Sequence, residues 1–267
     1  MNIWKAFWIT LVFCGISFIV YSVLILPKYF FSFPKDLYEY YWIFINILSQ
    51  IFSFLIVKKL YFKVYNLKIH FSKNEKSILL PLSILVLSCL TIEEPFVDLY
   101  DLIFRPDIKE NNFIIYHVPI FYYLLRLIKG CIIAPIIEEF FFRGFILKEL
   151  NIKYSATYSI IISSILFSLF HTDTADIIPA SIMGVFLGYI FLKSKKIEYA
   201  IIFHSILNFI AYSTNYYLPN ITTMIFKYRF SFNYWLIIIF GVIISYYGFI
   251  LFNKEIRFIK ERDDGNE

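Results

Sequence analysis

Three groups of residues place ionisable or amide side chains inside otherwise apolar runs. Glu138 and Glu139 stand four to five residues before Arg143 in the run that starts at Ala134 and Pro135. His171 follows Phe167 by four residues, and Asn208 follows His204 by four. Glu139 and Arg143 share one face of a helix and can pair as ions. Glu138 sits about 100° round from Glu139, because a helix turns once per ~3.6 residues. One guanidinium then neutralises one carboxylate and leaves the other for chemistry. Without chemistry, the same groups would snorkel from a helix end into headgroups. Each histidine would glue two helices.

Taken together, the groups suggest hydrolysis. A carboxylate and an imidazole can share a water, with Glu138 taking its proton and His171 orienting it. His204 and Asn208, on one helix face, can donate hydrogen bonds to the oxyanion that forms when a carbonyl is attacked. The pattern points to cleavage of a peptide bond by activated water. Ser168 and Ser205 adjoin the motifs but have no base that this scheme leaves over. Cys131 is ~10 Å along its helix from Glu138, too far for direct activation, and reads as a core residue. Glu138, His171 and His204 would also make three ligands for zinc, with water as the fourth. No His-Glu-x-x-His pair is present and Asn208 is a poor ligand, so the reading needs no metal or cofactor and keeps zinc as the alternative.

The elements that position these residues follow from composition. The chain is 60% hydrophobic, 22% aromatic and 17% charged. Soluble domains run near ~25% charged, and disordered chains lack such apolar content. A spanning helix needs ~20 apolar residues. Candidate spans fall near 5–26, 40–57, 77–92, 118–142, 155–171, 175–193, 197–218 and 233–253. The prediction is an all-α polytopic transmembrane bundle of about eight spans, one domain over residues 1–267. The run from Ala6 to Leu26 lacks a small-residue cleavage site after it and reads as a retained span. Cys14, Cys89 and Cys131 lie in apolar runs, so no disulfide is expected.

Loop charges order the spans. Segment 58–77 carries Lys58, Lys59, Lys63, Lys68, Lys73 and Lys76 against Glu75; segment 93–115 carries Glu93, Glu94, Asp98, Asp101, Asp107 and Glu110 against Arg105 and Lys109. The connection after the fifth span holds Asp173 and Asp176, and the next holds Lys193, Lys195, Lys196 and Glu198. Alternation of this kind puts both termini in the cytoplasm; Lys227 and Arg229 fall on the outer side against the rule. The same rule accounts for the net charge of +5 without a nucleic-acid partner. In the hairpin of spans four and five, Glu138 and His171 are equidistant from residue 154.5 and therefore level. Each is ~25 Å along its helix from the turn, and His204 and Asn208 lie ~12–18 Å from the basic loop at Lys196. Four side chains can thus reach one pocket within the bilayer.

Glu138, Glu139 and Arg143, then Phe167 and His171, then His204 and Asn208 resemble the three motifs of the CPBP family, the CAAX proteases and bacteriocin-processing enzymes also called Abi. The resemblance covers about residues 118–210. It implies an eight-helix glutamic intramembrane protease like the type II CAAX prenyl endopeptidases. Glu138 would activate water with His171, His204 and Asn208 would form the oxyanion site, and Glu139 with Arg143 would support it. The implied partners are the lipid bilayer and a membrane-associated peptide or protein substrate. The composition fits an AT-rich bacterial genome, hence a bacterial plasma membrane. A non-catalytic scaffold or bacteriocin self-immunity protein of the same fold is the alternative. A transporter is a third reading, against which stands the lack of paired Gly/Pro-broken spans in two halves.

Overall fold

The computed structural model describes residues 1–31, 34–61, 73–104, 119–171, 174–217 and 230–264. Lys63, Lys68, Arg105, Asp107, Lys109, Glu110, Asp173, Lys227 and Arg229, used above to order the loops, lie outside the described residues. Among the described residues, eight helical rods follow one another: α1 (Ile3–Ile25), α2 (Lys35–Tyr61), α3 (Leu79–Phe104), α4 (Ile120–Asn151), α5 (Ala156–Ser168), α6 (Ile177–Ser194), α7 (Ile197–Tyr217) and α8 (Phe232–Asp264). Six of the described helices are long and apolar enough to cross a membrane: α1 with the short turn after it, α2, α3 with the turn before it, α4, α6 and α8. Helix α5 is apolar but short, and α7 carries the polar residues of the site.

The surface carries many large apolar side chains, and charged and polar groups are buried within the apolar interior. Trp8, Phe18, Ile19, Ile237, Phe240 and Tyr246 point outward, whereas Glu138, Glu139, Arg143, His204, Ser163 and Ser164 are buried. That inversion suits a bilayer, where the lipid gives helices no hydrophobic reason to associate and small residues and polar contacts hold them instead. Gly241 lets α8 lie against Thr91 of α3, and Ser49 of α2 donates to the Ser17 carbonyl of α1 at 2.9 Å.

Several boundaries differ from the sequence reading. The third span does not stop at residue 92; α3 continues to Phe104, so Glu93, Glu94, Asp98 and Asp101 are helical and not in a loop. Asp98 is buried there and accepts a hydrogen bond from Tyr234 of α8 at 2.5 Å, a partner 136 residues away. Helix α4 runs nine residues past the expected end, to Asn151, and α8 runs to Asp264. Helix α5 closes at Ser168, where the Leu169 and Phe170 N–H groups turn back to Ile165 and Phe167, so His171 sits just beyond the helix.

Candidate active site

The site is built on α4, which departs twice from α-helical geometry. Pro135 has no N–H, and the Ala134 N–H reaches back five residues to the Lys129 carbonyl instead of four to Gly130. The resulting wide turn covers Ile128–Ile133. It leaves the Gly130 carbonyl without a donor from its own helix, since the four-residue donor is spent and the five-residue position is proline. A buried carbonyl must find a partner. Asn208 of α7 supplies it, its Nδ2 donating to Gly130 O at 2.7 Å. Gly130 is also where α7 comes close, because a Cβ there would stand 2.2 Å from Cε2 of Tyr212.

The wide turn also sets the angular register. It inserts one residue across Ile128–Ile133, so Gly130, inside the turn, is rotated part of the way toward the line of Glu138, from which eight regular steps would separate it by ~80°. The Gly130–Asn208 contact and the Glu138–His204 approach therefore share the face of α4 that meets α7.

A second wide turn, Phe142–Leu147, contains Arg143. Ser163 of α5 donates to the Phe142 carbonyl there at 3.1 Å. Arg143 and Glu139 are both 0% exposed, and Arg143 Nη1 donates to Glu139 Oε1 at 3.1 Å. Nη2 donates to the carbonyl of Gly184 on α6 at 3.2 Å, and the guanidinium lies 4.3 Å from the centre of the Phe167 ring. Gly184 is required at that point: a Cβ would come within 2.8 Å of Ser164 Cβ and 3.0 Å of its Cα, so α5 and α6 could not close. Arg143 Nε and Glu139 Oε2 have no hydrogen-bond partner among the described residues.

His204 joins the two carboxylates. Its Nδ1–H donates to Glu139 Oε1 at 2.9 Å, and its Nε2 lies 3.9 Å from Glu138 Oε2. The first is a hydrogen bond; the second is too long for one. Glu138 feels the charges of His204, His171, Glu139 and Arg143. His171 Nδ1 contacts the Phe167 carbonyl at 3.2 Å, which turns Nε2 away from α5. The edge of Phe167 meets both imidazoles, with ring centres 5.0 Å from His171 and 5.9 Å from His204.

The structure therefore gathers Glu138, Glu139, Arg143 and His204 in one buried cluster, with His171 at its rim and Asn208 one turn along α7. Sequence reasoning treated His204 as free to face the substrate. It is instead tethered by Glu139, which serves Arg143 and His204 through the same oxygen. Gly130, Pro135 and Gly184 were passed over. Proline inside an apolar run, and the Gly184-x-x-x-Gly188 spacing, were the available signals. Ser168 donates to its own helix at Ile165, and Cys14, Cys89 and Cys131 are all free thiols. Among the described residues no group of three or more His, Cys, Asp or Glu converges closely enough to hold a metal ion.

Residues 120–210 match the family described as type II CAAX prenyl endopeptidase Rce1-like. The segment carrying the site is thus similar to that family over about a third of the chain. The matched stretch contains every residue of the cluster. A relative from Bacillus subtilis (strain 168), named "Putative membrane peptidase YdiL", is 30% identical over 84 residues. That match covers 32% of this chain and 34% of the relative, so the chain spans about a third of its length. No solved structure matches. The six long apolar helices make the chain an integral membrane protein.

Proposed function

We propose that the chain is an intramembrane endopeptidase that cleaves a membrane-associated peptide or protein with water activated by Glu138 and His171. The observation that carries this is the unequal treatment of two adjacent carboxylates. Glu139 is consumed by Arg143 and His204, whereas Glu138 has no hydrogen bond among the described residues and only approaches His204, at 3.9 Å. A buried carboxylate left over in this way is placed to accept a proton from water.

The roles then follow. Glu138 removes a proton from a water that His171 Nε2 also contacts, and the hydroxide attacks the scissile carbonyl. Glu139 fixes His204 through Nδ1. As an imidazolium, His204 donates from both nitrogens. With Arg143, the cluster then holds two cations and two carboxylates. His204 Nε2 and the second N–H of the Asn208 amide are the oxyanion donors, and such donors are typically worth ~10²–10³ in rate. Collapse of the intermediate returns the proton from Glu138 to the leaving amine. No metal or cofactor is needed in this scheme. The membrane is a bacterial plasma membrane with both termini in the cytoplasm.

The test is cleavage of a peptide library by purified protein in nanodiscs, wild type against Glu138→Gln. Selective cleavage that vanishes in the variant supports the proposal. Equal cleavage by both overturns it. Binding without cleavage by the wild type favours a scaffold or self-immunity protein of the same fold.

A further inference from the structure

Helix α4 carries two more cations, Arg126 and Lys129, that the chemistry above does not use. Neither has a carboxylate partner among the described residues. The Arg126 guanidinium lies 5.5 Å from the ring centre of Tyr212 on α7, and Lys129 Nζ lies 5.2 Å from that of Trp42 on α2. Their charges act on one another, and Lys129 also feels Glu138. Two neighbouring cations in a membrane-spanning rod are costly, and an anion between them removes most of that cost.

Position ties Arg126 to the site. With the one-residue insertion at Ile128–Ile133 counted out, Arg126 and Glu138 are eleven helical steps apart. Eleven steps is three turns to within ~20°, so both lie on the α7 side of α4. Helix α7 continues the line: His204 faces Glu138, Asn208 holds Gly130, and Tyr212 lies beside the exposed Arg126, each four residues after the last. A polar seam thus leads from Glu138 to Arg126, while Lys129 turns toward Trp42 of α2 and still feels both charges. Along the axis it spans about 13–17 Å from Lys129 or Arg126 to Glu138. At ~3.3–3.6 Å per residue, that is four or five residues of extended chain.

We propose that Arg126 and Lys129 are specificity-determining residues that bind a carboxylate of the substrate four or five residues from the bond that is cut. This rests on the reading of Glu138 as the water-activating group. The carboxylate is a chain terminus or an acidic side chain; both present the same planar acceptor, which suits a guanidinium and an ammonium. The competing use of the two cations is to seat lipid phosphates.

The experiment uses the full chain in nanodiscs of uncharged lipid and one peptide that the wild type cleaves. In one arm its terminus is a free carboxylate or an amide, with the terminus four or five residues from the cut. In the other arm the terminus is amidated and an Asp or Asn occupies that position. Wild type should prefer the carboxylate form in one arm or the other by about tenfold in kcat/KM, mainly through KM. In Arg126→Gln/Lys129→Gln that ratio should fall to about twofold or less. No preference in the wild type, or an equal loss for charged and neutral peptides in the variant, overturns the proposal and leaves the cations to the lipid. Anisotropy of the same labelled peptides on Glu138→Gln reads binding without turnover. A carboxylate preference there, with none of the peptides cleaved by wild type, would sink the catalytic reading and leave only carboxylate binding by the two cations.

Discussion

Replacing Asn208 with alanine separates anchoring from catalysis. Its Nδ2 donates to Gly130 O at 2.7 Å, and that carbonyl has no alternative in its own helix because Ala134 is bonded to Lys129 and residue 135 is proline. Orphaning a buried carbonyl costs about 1–3 kcal/mol, so Asn208→Ala should lose that much stability in equilibrium unfolding in mixed micelles. Pro135→Ala restores an N–H five residues after Gly130. In the Asn208→Ala/Pro135→Ala double variant the loss, measured against Pro135→Ala alone, should shrink to about half or less. The cleavage rate should behave differently. If the second amide N–H stabilises the oxyanion, the rate falls ~10²–10³ in Asn208→Ala and stays low in the double variant, with KM little changed. A rate that returns with stability would show that Asn208 only anchors α7 to α4, and the oxyanion assignment would fall. Unchanged stability in Asn208→Ala would refute the argument from the unpaired carbonyl itself.

Other expectations can be checked with the same preparations. Arg143→Met and Glu139→Gln each leave an uncompensated charge at a position that is 0% exposed, so each should cost about 3–5 kcal/mol, and the double variant should recover part of it; strictly additive losses in unfolding would refute the pairing. Gly184→Ala forces α5 and α6 apart at Ser164, so expression and thermal stability should drop, and Ser164→Gly should recover part of the loss in the double variant. Elemental analysis of active protein should find less than a stoichiometric amount of zinc; one equivalent, lost with activity in His171→Ala, would replace the metal-free scheme. Reporters fused after Lys195 and after Asp101 should read cytoplasm and outer side respectively, and a cytoplasmic signal at Asp101 would reverse the orientation.

The sequence by itself determined the membrane class, the order of the helices though not their ends, and which polar residues stand inside apolar runs. Apolar length is a local property, and a charge inside an apolar run is conspicuous wherever it folds, so Glu138, Glu139, Arg143, His171, His204 and Asn208 could be picked out one by one. Glu139 with Arg143 was legible because four-residue spacing fixes a shared face. What only the tertiary structure decided depends on partners far away in the chain. Helix α3 continues through Asp98 because Tyr234 meets that carboxylate, and no local pattern records a contact across 136 residues. His204 is held by Glu139 across 65 residues, which gives the two adjacent glutamates different environments. The wide turn at Ile128–Ile133 leaves only Pro135 as a trace in the sequence. Yet that one-residue insertion rotates Gly130 toward the Glu138 face and Arg126 onto it, and through Gly130 it decides where Asn208 can stand.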